Sequence, residues 1–143
     1  MKASLDYSEI TKLIKQSTNT DVDIKFIKDK ENCPIQVTAT IDLPIIGTHT
    51  ITVNVHLVYK EKYLYVFYDI GFLYKALLPK VIKYIADKGF GKYFEWVDSK
   101  KLFIINLQEI ETCKQVLDFV TINNVEFGPE IFAEFDVNVN NGK

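Results

Sequence analysis

Ile35-Gln36-Val37-Thr38-Ala39-Thr40-Ile41-Asp42-Leu43 alternates apolar and polar residues from end to end. Successive side chains of a strand point to opposite faces, so this run predicts a strand with one buried and one wet face. Antiparallel sheets tolerate that arrangement, whereas strands covered on both sides read as continuous apolar runs. The next run repeats the pattern, with Ile51, Val53, Val55, Leu57 and Tyr59 alternating with Thr50, Thr52, Asn54 and His56. Lys60-Glu61-Lys62 reads as a turn. The strand that follows, residues 63–70, is apolar on both faces: Tyr63, Tyr65 and Phe67 on one, Leu64, Val66, Tyr68 and Ile70 on the other. Such a strand is either covered twice or lines something greasy.

Upstream, Asp6 to Ser17 predicts a short amphipathic helix. Asp6 is a capping residue with Glu9 at capping-box spacing, and Ile10, Leu13 and Ile14 share one face. Residues 21–28 alternate again and predict a strand, joined to the central run by the polar stretch Lys28 to Pro34. Downstream, Tyr74, Leu77, Leu78, Val81, Ile82 and Ile85 fall at helical spacing and predict a central helix over about 72–88, stopped at Gly89. Pro79 should kink that helix or mark the first turn of a shorter one. Residues 93–97 and 102–106 predict two short strands around the turn at residues 98–101. Asn106 can cap a short third helix over about 107–118 with Ile110, Cys113 and Leu117 on one face. Residues 120–127 and 131–139 then read as a closing hairpin around Gly128-Pro129, and residues 140–143 as a frayed tail. Strands in runs with short turns, interspersed with helices, place the chain in the α+β class as a single domain.

The bulk properties exclude more than they assign. With 143 residues the chain suits one domain and would make two unusually small ones. A 48% hydrophobic content with 25% charged residues argues against disorder. The apolar runs are far short of the ~18 residues that span a bilayer as a helix. All 17 basic residues are Lys, and the net charge is −2. Without Arg the chain lacks the planar fork that reads guanine or clamps phosphate, and it has no basic stripe along the sequence, so nucleic acid is not an expected partner. Met1 to Asp6 turns polar at once, without the apolar stretch of a signal peptide; the sequence as given reads as cytoplasmic, and as exported only with a leader ahead of it.

No catalytic, cofactor or metal motif stands out; no cofactor is expected, and a small enzyme working through His56 or a carboxylate stays open as a third reading behind ligand binding and assembly. His49 and His56 are an odd number of residues apart on one strand, so they point to opposite faces and cannot share a metal. Cys33 and Cys113 form no CxxC pair and cannot supply the four ligands of a structural zinc site. Two reduced, buried thiols are the simpler reading, with one disulfide left open for an exported chain. Glu134 and Asp136 share a strand face but sit where carboxylates are ordinarily solvated. None of Ser4, Ser8, Ser17 and Ser99 lies in a nucleophile motif. Gly89-Phe90-Gly91 follows a helix instead of opening one, so it makes no phosphate cradle.

The aromatic residues are the one departure. Tyr59, Tyr63, Tyr65, Phe67, Tyr68, Phe72 and Tyr74 fall within sixteen residues. They can be ordinary core, the lining of a pocket for an apolar ligand, or a partner surface. The apolar hairpin tip Leu43-Pro44-Ile45-Ile46-Gly47 is either folded onto the core or an exposed tip that touches a membrane or a partner through Ile45 and Ile46.

Long alternating strands over residues 35–70, an amphipathic helix with a central Pro, short strands, Phe103-Ile104-Ile105-Asn106-Leu107-Gln108-Glu109-Ile110-Glu111 and a closing hairpin resemble, over residues 35–139, the tubular lipid-binding superfamily and its small bacterial relatives. A helix-grip fold would end in a long helix, and the closing hairpin counts against it. The resemblance implies a highly curved antiparallel sheet wrapped around a helix with lipid held between them, and it transfers no individual residue. The expected architecture is then a curved antiparallel sheet of about six to eight strands with an N-terminal, a central and a short third helix. The expected function is non-enzymatic binding of an apolar or amphipathic, lipid-like ligand between sheet and central helix, through Tyr63, Tyr65, Phe67, Phe72, Tyr74, Leu78 and Ile82. The alternative is a structural or interaction protein, a homodimer joined through its sheet edge or aromatic surface, with no small-molecule ligand.

Overall fold

A computed structural model describes residues 1–43 and 45–138, without the side chains of Ser17, Thr18, Phe72 and Leu73. Its strands are β1 (Lys2–Leu5), β2 (Asp21–Phe26), β3 (Ile35–Leu43), β4 (Gly47–Lys60), β5 (Tyr63–Ile70), β6 (Phe94–Val97), β7 (Leu102–Asn106), β8 (Val120–Phe127) and β9 (Ile131–Val137). Its α-helices are α1 (Tyr7–Thr18), α2 (Phe72–Lys75), α3 (Leu78–Ile85) and α4 (Glu111–Phe119). The class is α+β with every strand pair antiparallel. The strands divide between two sheets, where the sequence reading has one: six in the order β2-β3-β4-β5-β7-β6 and three in the order β1-β9-β8. Alternation fixes each strand and its hairpin, but it does not say which hairpin joins which sheet. Val139, the tail and Pro44 lie outside the described residues.

The six-stranded sheet is built as its alternation requires. Ile35 pairs with Val55 and Val55 with Tyr68, while Val37 pairs with Val53 and Val53 with Ile70, so the apolar positions of β3, β4 and β5 share one face. Ile35 is only 1% exposed and, with Val55, Tyr68 and Tyr7, forms the larger buried cluster. On the other face Thr38 and Thr52 bond across the strands at 3.1 Å, and Thr40 and Thr50 at 3.2 Å. The turn from β4 to β5 is the two-residue Glu61-Lys62, both at positive φ (53° and 72°), the backbone that matches the twist of flanking strands.

Helix α1 starts where Asp6 accepts from the Ser8 backbone N–H at 2.7 Å, and it ends at Asn19, in the left-handed region at φ 55°. The Tyr7 hydroxyl donates to the Gly128 carbonyl at 2.7 Å and ties α1 to the β8–β9 turn. The N-terminus, read as polar in the sequence, is strand β1: Lys2 faces Glu134 and Ala3 faces Ala133 on β9. Four residues are too few for alternation to declare a strand, and the long β9 supplies the template.

The central helix does not run unbroken over 72–88. It is one turn, α2, then α3 with Pro79 in its first turn, where the missing N–H is not needed. A wider turn over Ala86–Phe90 follows, with Gly89 at φ 93°. The third helix is likewise divided: Asn106 accepts from the Gln108 N–H at 3.1 Å and caps a single tight turn, and α4 begins only at Glu111.

Candidate ligand-binding cavity

The apolar face of the six-stranded sheet is the floor of a cavity of about 510 Å³. Tyr7, Ile10 and Ile14 of α1 wall one side, Tyr74 of α2 and Leu78, Val81, Ile82 and Ile85 of α3 another, and Phe127 and Ile131 close it from the β8–β9 hairpin. The cause lies in the sequence. β3 and β4 present small or branched aliphatics inward (Val37, Ala39, Val53), while α3 buries none of its residues fully. Short side chains below and a shallowly seated helix above leave the middle unfilled.

The walls offer almost nothing polar. Of the three tyrosines, Tyr7 donates to Gly128, and the Tyr68 hydroxyl accepts from Trp96 Nε1 at 3.0 Å. Burial pushes the Tyr7 phenol up from its usual range, so it stays a neutral donor. A water in this space finds few hydrogen-bond partners on the walls. The space is partly open to solvent, and it leaves a large aliphatic surface without packing partners. A second apolar space of about 310 Å³ adjoins it and shares Val66, Ile85, Phe103 and Ile105 as walls, with Phe90, Tyr93, Phe94 and Ile110 completing it.

His49 marks one end of the inward face of β4. Its cross-strand partner Ile41 and its neighbour two residues on, Ile51, both line the cavity. Its Nε2 is buried and has no hydrogen-bond partner among the described residues. Buried polar atoms are ordinarily satisfied, so this orphan distinguishes that end. His56 points to the opposite, solvent face, where its ring lies 6.1 Å from that of Phe67.

The residues singled out in the sequence divide. Tyr74, Leu78 and Ile82 line the cavity. Tyr63, Tyr65 and Phe67 do not: they are on the opposite face of β5, with Tyr63 and Phe67 37% and 38% exposed. The side chain of Phe72 is outside the described residues. Both faces of β5 are apolar in sequence, and aromatic density singles out the outer one. The inner one could have been found by register, because Leu64, Val66, Tyr68 and Ile70 continue the rows set by the apolar positions of β3 and β4. Ile45 is fully exposed at φ 73°, whereas Ile46 packs on the cluster of Ile41, Leu43 and Ile51.

Other features offer less. A polar crease of about 450 Å³ between α1 and β2 is lined by Lys12, Lys15, Asp21 and Asp23, where Lys15 and Asp21 already pair at 2.7 Å. Among the described residues no group of three His, Cys, Asp or Glu is placed to hold a metal ion. Cys33 and Cys113 are free thiols, and burial pushes both up, away from the reactive thiolate. No described helix is long and apolar enough to cross a membrane. Compared with known proteins, the chain matches no family model, no curated protein and no solved structure.

Proposed function

We propose that the protein binds an apolar or amphipathic, lipid-like molecule in the cavity between the six-stranded sheet and helices α1 and α3. The cavity itself carries the reading: about 510 Å³ of almost wholly apolar space, partly open to solvent, is a surface that an apolar ligand would cover. It falls within the usual size of ligand sites and is more than three times an apolar cavity that holds one benzene. Its lining has no paired acid, base or nucleophile, which favours binding over catalysis. Apolar burial at roughly 25 cal/mol per Å² supplies the affinity. The resemblance of the sequence's element order to the tubular lipid-binding superfamily points the same way.

Native mass spectrometry of the protein as purified, and titration of the delipidated protein with a fluorescent polyene fatty acid, test it. The expected results are co-purified apolar species and saturable uptake. A clean apo mass with no uptake contradicts the reading. His49 is not itself in the lining, but its unpartnered Nε2 stands beside Ile41 and Ile51, which are, and a ligand with a polar end would satisfy it. A long-chain fatty acid is then expected to bind more tightly than its methyl ester, and His49→Leu to narrow that difference.

A second reading rests on the outer face of β4 and β5, where Val58, Tyr63 and Phe67 are exposed together. A homodimer would cover them. Sedimentation at high concentration is expected to show a dimer under that reading, and a strict monomer removes it.

A further inference from the structure

We infer that the segment covering the cavity, residues 71–93, together with the β3–β4 tip, is a docking surface for the anionic face of a lipid bilayer. Charge is the first observation. Lys75, Lys80, Lys83, Lys88 and Lys92 lie in this segment against one acid, Asp87, while the whole chain carries a net −2. All five lysines are exposed, and Asp87 is already paired with Lys83 at 3.2 Å. The remainder of the chain is therefore net acidic, while the cover is net basic.

The second observation is amphipathicity. Leu78, Val81, Ile82 and Ile85 of α3 turn toward the cavity while the lysines turn to solvent. Lys88 and Lys92 stand over the rings of Tyr84 and Tyr93, at 4.8 Å and 5.3 Å from the centroids. Lysine heads above an apolar and aromatic body suit the headgroup region.

Ile45 is the third and independent observation. It is fully exposed and held at φ 73°, a backbone region unfavourable for a β-branched side chain. Its neighbour Ile46 packs on the cluster that Tyr74, Val81 and Tyr84 also touch, so the tip lies beside α3. The exposed isoleucine gains no burial from folding, and strain of this sort gathers at functional positions. It fits a wedge into the acyl boundary, with the lysines on anionic headgroups. A nucleic acid would use the charge but leave the isoleucine without a partner.

Vesicle flotation tests this with the full chain and needs no ligand in the cavity, so its failure leaves the cavity reading untouched. The chain should bind vesicles of phosphatidylcholine mixed with phosphatidylserine, should bind phosphatidylcholine alone far more weakly, and should be released by high salt. Lys80→Ala and Lys83→Ala are each expected to lower the partition about five-fold. Ile45→Gly should lower it on the order of ten-fold, while its melting temperature holds or rises because glycine accepts the positive φ. Absent binding, equal binding to both vesicles, or indifference to these substitutions overturns the inference. So does a lysine-dependent preference for a DNA duplex offered alongside the vesicles, which would assign the basic face to a soluble polyanion.

Discussion

Both faces of β5 carry large apolar or aromatic side chains, and they differ greatly in fate. Leu64, Val66, Tyr68 and Ile70 face the cavity, and Tyr68 is 5% exposed with its hydroxyl bonded to Trp96. One residue out of phase, Tyr63, Tyr65 and Phe67 face outward. Burial on a sheet is decided by what lies above the row, and α1, α3 and the β8–β9 hairpin lie above only one row. Tyr63, Tyr65 and Phe67 are on the outside, and the capacity for a ligand comes from aliphatics of β3 and β4 too small to fill the space beneath the helices.

The contrast can be broken by substitution. Val55→Asp buries an unpaired carboxylate in the core cluster and is expected to destabilise by about 3–5 kcal/mol in urea melts, whereas Phe67→Asp on the outer row should stay within about 1 kcal/mol. Similar losses would mean that the outer row is also covered. Tyr68→Phe leaves the Trp96 N–H without its acceptor and should cost about 1–3 kcal/mol, while Tyr63→Phe is close to neutral. The thiols sharpen the comparison by rate. Since burial raises the pKa of both Cys33 and Cys113, each should react slowly with a disulfide reagent at neutral pH and quickly once the chain is unfolded. Fast labelling of Cys113 in the folded protein would show that the α4 region opens.

The smallest effect is at the start of α1. Hydrogen bonds from Ser8 hold the Asp6 carboxyl below its ordinary value of 3.8. Its folded pKa is depressed, so its contribution is present above that value and fades as the pH falls through the lower folded value. Asp6→Ala should therefore lower the melting temperature slightly at neutral pH, and the difference from the natural chain should shrink in acid. A difference that persists undiminished at low pH would locate the effect elsewhere.

Much of this fold was legible, and its limits have physical causes. The strands over residues 35–43 and 63–70 were readable to the residue because alternation is a local property. The break between α2 and α3 was half-readable, since Pro79 permits either a kink or a fresh start and only packing chooses. Strand β1 and the split into two sheets were not, because both depend on partners more than a hundred residues away. Helical spacing puts Tyr74, Leu78 and Ile82 on the side that lines the cavity. Tyr63, Tyr65 and Phe67 lie on the other face of β5, because aromatic density does not say which side of a strand receives the helices. The void itself has no sequence signature; it is the difference between the volume enclosed and the volume filled.

The most direct measurement is calorimetric titration of a long-chain fatty acid into the delipidated natural chain and into Val53→Trp, which places a large ring on the cavity floor. Saturable binding with a negative heat-capacity change, lost in a Val53→Trp variant that is folded and no less stable, is the expected result. Binding undiminished by the tryptophan, or no binding to the natural chain, would contradict the assignment of the ligand to this interior.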